Sequence, residues 1–302
     1  MEAWIVITLF AAFLQNVRTA LQKALKGRLS TGGATYVRFL YGAPFALLYL
    51  GGLILMTDLP LPRPNGEFLI YALVGGLAQI FATGLLVSLF SLKNFAVGTT
   101  YAKTETVQAA LIGMVLLGDH VGIGAILAIA ISFVGILLIS MSSSAFTLKD
   151  FLSGWMSRAA GIGLLSGALF GISAVSYRGA SLALGGQGVI IQAAYTLAFV
   201  MIFQTVVMSL YLPLCEAGQI TKVFRNWKMA IWVGLTGMLG SACWFTAMTL
   251  QNAALVKAVG QVELVFSFIA SYFFFKERTN RIELCGILLI VLGILLLLLD
   301  RV

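Results

Sequence analysis

The stretch NFAVGTTYAKTETVQAALIGMVLLGD, residues 94–119, decides the fold. It is long enough to cross a bilayer, yet Lys103 and Glu105 fall about halfway along it. A charge near the bilayer centre costs roughly 2.5–3.5 kcal/mol on insertion scales, so such residues face a protein interior or a wet cavity. The stretch also recurs. Shifted by 158 positions, Asn94 meets Asn252, Ala96 meets Ala254, Glu105 meets Glu263, Val107 meets Val265 and Asp119 meets Glu277. Each glutamate stands in the twelfth place counted from its asparagine. At 1.5 Å per residue that is ~16 Å along, close to the middle of a ~30 Å hydrocarbon core.

The rest of the chain has the same character. Its 302 residues are 60% hydrophobic and only 10% charged, with a mean hydropathy of +1.02, whereas a soluble domain runs near 25% charged. Ten apolar stretches of membrane-crossing length, with short connections, use up nearly all of it. No room remains for a soluble catalytic domain. The net charge of +8 is spread over short loops and helix ends, which suits anionic lipid and argues against nucleic acid as a partner. Cys215, Cys243 and Cys285 are scattered without metal spacing, and His120 is the single histidine. A His-based catalytic or metal cluster is therefore excluded, no cofactor is expected, and the chain does not read as an enzyme. The N-terminal run lacks a basic region and a small-residue cleavage motif, so it reads as a span rather than a cleavable signal.

Span 1 (about 3–25) carries Gln15, Arg18, Thr19, Gln22 and Lys26 on one helical face. Gln15 and Arg18, the deepest, are candidates to line a cavity. Span 2 (about 34–56) contains Pro44, expected to kink it, and Arg38 near its start reads as an interfacial anchor. A proline-rich connector follows, with Pro60, Pro62 and Pro64. Gln79 lies deep in span 3 (about 68–91). Span 5 is about 121–141. Span 6 (about 159–183) sets Gly163, Gly167 and Gly171 at four-residue intervals, a face for close helix approach. Leucine at Gly167 should disrupt that face and alanine should be mild. Arg178 sits near the end of the same span. Spans 7 (about 188–212), 8 (about 227–250), 9 (about 253–275) and 10 (about 280–299) complete the set. Trp4, Trp155 and Trp227 read as interface residues, and Trp244, deeper, as a cavity wall.

The 158-residue offset holds without a gap from roughly residue 68 to 138, pairing Gly76 with Gly234 and Gly135 with Gly293. Residues 1–141 thus form one five-helix repeat, 142–157 a connecting loop, and 158–302 a second repeat. An odd number of spans per repeat makes the second copy enter from the opposite side. The expected fold is all-α and integral to the membrane, with ten helices in two inverted repeats, a recurring plan of secondary transporters.

Lys103 and Glu105 point about 200° apart on a helix and cannot pair with each other. Each needs a partner on another helix, a substrate, or water. Glu105 shares a face with Tyr101 and Gln108; on span 9, Lys257 and Gln261 are neighbours and Glu263 points elsewhere. The charges either fix the packing of the halves or handle substrate or protons. The candidate binding residues are Glu105, Glu263, Lys103, Tyr101, Arg18, Gln15, Gln79, Arg178, Lys257, Gln261 and Trp244. Asp119 and Glu277 read as turn residues. A site of both signs suits a zwitterion or small organic anion better than a lipophilic cation. A channel or a lipid scramblase is the alternative.

Two repeats with Gly118-Asp119-His120 closing span 4 and Phe275-Lys276-Glu277-Arg278 closing span 9 resemble the drug/metabolite transporter superfamily, in particular its ten-helix EamA-like branch. In that family a Gly-containing last helix closes each half, as Gly135 and Gly293 do here. The resemblance covers the whole chain. It implies a cytoplasmic-membrane carrier, often an exporter of amino acids or related metabolites, with a central cavity. The small multidrug relatives exchange protons on a glutamate of the first helix; here Leu14-Gln15-Asn16 stands nearby, so that device does not transfer. Protons remain a candidate coupling ion, and monomer and homodimer are both open. Orientation divides the two lines of reasoning. Connections 1–2, 3–4, 5–6, 7–8 and 9–10 hold eleven Lys/Arg residues, against Arg63 and Arg301 on the other side. That bias puts both termini outside, although the family usually has them in the cytoplasm.

Overall fold

An apolar run in hydrocarbon must pair its backbone polar groups within itself, and the helix does so. The computed structural model describes residues 2–57, 59–89, 101–143, 149, 157–186, 188–266 and 281–299, and all regular structure among them is helical. The elements are α1 (Ala3–Lys26), α2 (Thr31–Thr57), α3 (Gly66–Leu89), α4 (Glu105–Leu117), α5 (Ile123–Ser143), α6 (Arg158–Ala183), α7 (Val189–Cys215), the short α8 (Gln219–Arg225), α9 (Trp227–Leu250), α10 (Ala253–Gly260) and α11 (Arg281–Leu299). Six of these, α1, α2, α3, α6, α7 and α9, are long and apolar enough to cross a membrane, and α4, α5 and α11 carry shorter apolar stretches. The predicted start of span 4, with Asn94, and the end of span 9, with Glu277, lie outside the described residues. So do Trp155 and most of the 142–157 loop.

The chain divides into two compact units, Met1–Ile80 with Ser173–Gln251, and Phe81–Ile172 with Asn252–Val302. In the first unit α9 packs on α1, α2 and α7. Small residues permit that approach: a Cβ on Gly234 would fall 2.5 Å from the backbone carbon of Tyr41 and 2.8 Å from the nitrogen of Gly42. The buried side chains around this crossing include Val37, Phe39, Met208, Leu212 and Val233. Helix α2 runs on through Pro44 to Thr57. Two expectations change here. Arg38 is only 7% exposed, so it is an interior residue of the first unit and not an interfacial anchor. Trp4 is 4% exposed and donates its indole N–H to the Glu2 carboxylate, whereas Trp227 is exposed as expected.

In the second unit α5 packs along α11, and α4 against α10. At the first of these crossings two glycines face each other. A Cβ on Gly135 would lie 2.5 Å from the carbonyl oxygen of Gly286, and one on Gly286 would lie 2.7 Å from that of Gly135. Gly293 approaches the carbonyl of Ala128 in the same manner, at 2.7 Å from its own would-be Cβ. The glycine face of α6 also meets backbone: a Cβ on Gly167 would lie 2.9 Å from the carbonyl oxygen of Ala102, and one on Gly171 would lie 3.2 Å from the amide nitrogen of Ala109. Even alanine at Gly167 therefore collides with main chain, so its effect is not mild.

The turn residues act as caps. Asn252 Oδ1 accepts the amide of Ala254 at 2.9 Å and starts α10. Asn65 Oδ1 does the same for Phe68 at 2.7 Å and starts α3. After α4, Gly118 adopts a left-handed φ of 64°, and the Asp119 amide bonds the carbonyl of Gly113 at 3.2 Å. That turn is the one expected at the close of span 4.

Candidate functional site

The two stretches expected to carry charges at mid-depth are not continuous helices. Helical residues 101–102 are followed by a turn at 103–104, and α4 begins at Glu105. Likewise α10 ends at Gly260, Gln261 forms a turn, and helix resumes at 262–266. Lys103 and Gln261 are partners under the 158-residue offset, so both copies are interrupted at one equivalent place. The interruptions are 3₁₀-like. The Thr104 amide bonds Tyr101 O at 3.1 Å, and the Gln261 amide bonds Ala258 O at 3.2 Å. Thr104 Oγ1 adds a bond to the same Tyr101 carbonyl at 2.6 Å, a local competition that threonine offers a helix.

Each interruption makes a helix end inside the span, and charges occupy those ends. Glu105 is the first residue of α4, where the helix dipole favours an anion. Lys257 is in the last turn of α10, where it favours a cation. Lys257 Nζ lies 2.7 Å from Glu105 Oε1, and Lys103 Nζ is ion-paired and hydrogen-bonded with Glu263. The partners that Lys103 and Glu105 cannot give each other are thus supplied, crosswise, by α10 and by the helical residues that follow its turn. Gln261 Nε2 donates to Thr106 Oγ1 at 3.0 Å and ties the same two segments together. Lys103, Thr106, Ser132 and Gln261 border a cavity of about 10 Å³, the lower limit for one water. The four charged side chains are between 15% and 29% exposed, so the cluster is sheltered but not sealed.

The remaining candidates, apart from Tyr101 of the second unit, lie in the first unit and form three groups. Gln15 accepts the Trp244 indole N–H at 3.1 Å. One turn further along α1 the stem of Arg18 packs on Gly237 of α9. Gln79 accepts the Tyr177 hydroxyl at 3.1 Å and the Gln204 amide at 2.9 Å, all three well buried or partly so. Arg178 is committed elsewhere: its Nη1 donates to the carbonyls of Met248 at 2.7 Å and Gln251 at 2.8 Å. Those are the open carbonyls at the C-terminal end of α9, so Arg178 acts as a cationic helix cap. Tyr101 is buried, and its carbonyl anchors the turn at Thr104.

Two comparisons bear on this geometry. The sequence model of the EamA-like transporter family matches residues 2–141 and again residues 154–299. The chain belongs to the EamA-like transporter family. It is accordingly a multi-pass membrane protein of the drug/metabolite transporter type. A solved crystal structure matches with a TM-score of 0.73 over 99% of this chain and 98% of that one, at 14% identity. That likeness shows the fold alone. No curated protein matches the sequence.

For this EamA-like chain, sequence reasoning missed Thr106, Ser241 and Arg38 as site neighbours, and missed both interruptions. Neither break holds a proline. The available signals were Thr104 and Thr106 flanking Glu105, and Gly260 preceding Gln261. Arg38 carried none, because eight residues into a helix an arginine reads equally well as surface or interior.

Proposed function

We propose that the chain is a secondary carrier working by alternating access between two inverted five-helix repeats, residues 1–141 and 158–302. Its cargo is a small polar metabolite, an amino acid or a related zwitterion or organic anion. Transport crosses the cytoplasmic membrane, and export is the direction that the family resemblance favours. The observation that supports this reading is the pair of crosswise Lys–Glu contacts at equivalent helix interruptions. Such a quartet is neutral overall. A zwitterion can enter it by exchange, its ammonium replacing a lysine at Glu105 or Glu263 and its carboxylate replacing a glutamate at Lys103 or Lys257. Helix ends beside the charges are already polarised, so little reorganisation is needed. A proton on either glutamate releases the corresponding lysine and offers a means of coupling.

Orientation follows the Lys/Arg bias, with both termini outside the cytoplasm. The functional unit is one chain or a homodimer. Counterflow tests the carrier. Purified chain is reconstituted in liposomes preloaded with an unlabelled amino acid or organic anion, and transient uptake of the labelled compound is followed outside. Accumulation above equilibrium is expected. A pore gives equilibration without overshoot, and a scramblase gives lipid flip-flop without either, so those outcomes remove the carrier reading.

A further inference from the structure

Helices α1, α2, α7 and α9 of the first unit are each long and apolar enough to cross a membrane. The turns that join α1 to α2 and α7 to α9 therefore stand at a membrane surface, since irregular backbone is not left in hydrocarbon. Those two turns meet. Arg28 Nη1 donates to Asn226 Oδ1 at 3.4 Å, the Ser30 amide donates to Gln219 Oε1 at 3.1 Å, and the Ser30 hydroxyl donates to the Glu216 carboxylate. At the opposite end of the unit, the connection between α2 and α3 carries one base, Arg63, with Glu67 just beyond it.

Between α7 and α9 stands α8, a short helix with two faces. Val223 is fully buried and Ile220 partly so, both seated on the core that includes Val37 and Leu212. Lys222, Phe224 and Arg225 are exposed, as are Trp227 and Lys228 at the start of α9 and Arg28 across the Asn226 contact. Asn226 joins the group, because its Oδ1 accepts from Arg28 and its Nδ2 donates to the Lys222 carbonyl at 2.8 Å. Glu216, the acid of this connection, is turned the other way: a Cβ on Gly32, at the start of α2, would lie 2.6 Å from its Oε2. Among the described residues no carboxylate forms an ion pair with Arg28, Lys222, Arg225 or Lys228.

Four uncompensated cations thus surround two rings, Phe224 and Trp227, that are 54% and 52% exposed. A soluble anion would meet the cations and leave the rings uncovered. An anionic lipid meets both, its phosphate facing the cations and its acyl boundary taking the rings. We propose that α8 and the start of α9, together with Arg28, form a docking site for an anionic phospholipid. Because Arg28 and α8 belong to different connections, one headgroup there bridges them and screens the repulsion between their charges. The site requires only that the chain resides in a membrane and is independent of the carrier reading.

The test reads lipid contact and involves no transport. The full chain is reconstituted in phosphatidylcholine nanodiscs that contain an equal small fraction of brominated phosphatidylglycerol or brominated phosphatidylcholine, and quenching of tryptophan fluorescence is measured. The Trp227→Phe protein, measured alongside, gives the share that belongs to Trp227. Quenching at Trp227 should be stronger with phosphatidylglycerol, and the preference should fall as salt is raised. A Lys or Arg near an anionic surface contributes about fivefold to affinity. Arg28→Gln should therefore weaken the preference about fivefold, and the triple variant Lys222→Gln, Arg225→Gln, Lys228→Gln should lose it. Arg63→Gln, at the other end of the unit, should leave it unchanged. Melting temperatures in phosphatidylcholine discs check that the variants fold; should the triple variant not, Arg225→Gln and Lys228→Gln singly carry the comparison. Equal quenching by the two lipids, a preference retained in the folded variants, or one lost equally in Arg63→Gln overturns the site. Loss of the preference on adding inorganic phosphate, beyond the effect of chloride at equal ionic strength, assigns the cations to a soluble anion and overturns the lipid.

Discussion

Lys257 Nζ lies 2.7 Å from Glu105 Oε1, joining the last turn of α10 to the first residue of α4. The companion contact, Lys103 with Glu263, runs the other way between the same two segments. Each glutamate is held by a lysine of the other segment. The contacts thus perform two tasks at once: they tether the two interrupted spans, and they supply each sheltered carboxylate with a cation.

Those tasks separate by mutation. Glu105→Gln leaves Lys257 without its counter-charge, and loss of one partner of a sheltered pair is expected to cost about 1–3 kcal/mol, less than for a fully buried one. Glu105→Gln with Lys257→Gln should recover most of that stability. Transport should not recover with it. Melting curves and counterflow on the four-member cycle decide the matter; full transport in both Gln variants of Glu105 and Glu263, alone and combined, would make the cluster purely structural.

Gly167 offers a packing test. Its would-be Cβ lies 2.9 Å from the carbonyl of Ala102, just before the turn that carries Lys103. Gly167→Ala should destabilise the protein by about 1–3 kcal/mol, as overpacking does, and Gly167→Leu should fail to accumulate. Equal melting temperatures for the alanine variant and the unchanged protein would show that the α6 backbone does not approach α4 this closely.

Arg178 is predicted to matter for stability more than for transport. It donates to carbonyls at the end of α9, and its removal leaves them uncapped. Arg178→Gln should lower stability by roughly 1–2 kcal/mol with apparent substrate affinity nearly unchanged. A large affinity loss with an unaltered melting temperature would instead make Arg178 part of the binding site.

Orientation has its own test, resting on eleven Lys/Arg residues against two. Alkaline phosphatase fused after Val302 should be active, and green fluorescent protein at the same point should be dark. Bright fluorescence would put the C-terminus in the cytoplasm and show that the charge count does not govern this chain.

Membrane residence and the duplication were legible in the residues. Composition reports the solvent, and a fixed offset between Asn94/Asn252 and Glu105/Glu263 reports the repeat, because both survive as linear patterns. The turn at Asp119 was legible for the same reason, as Gly118 is the local residue that tolerates a left-handed backbone. Which lysine holds which glutamate was not, since it depends on the crossing of segments about 150 residues apart. The interruptions at Lys103 and Gln261 were equally hidden. A 3₁₀-like turn without proline differs from an α-helix by one hydrogen-bond register, and tertiary contacts such as Gln261 with Thr106 select between them. Arg38 marks the limit most clearly: its helix, its charge and its position were all readable, but burial is a property of what packs against it, and only the approach of α9 at Gly237 and Ser241 decided that.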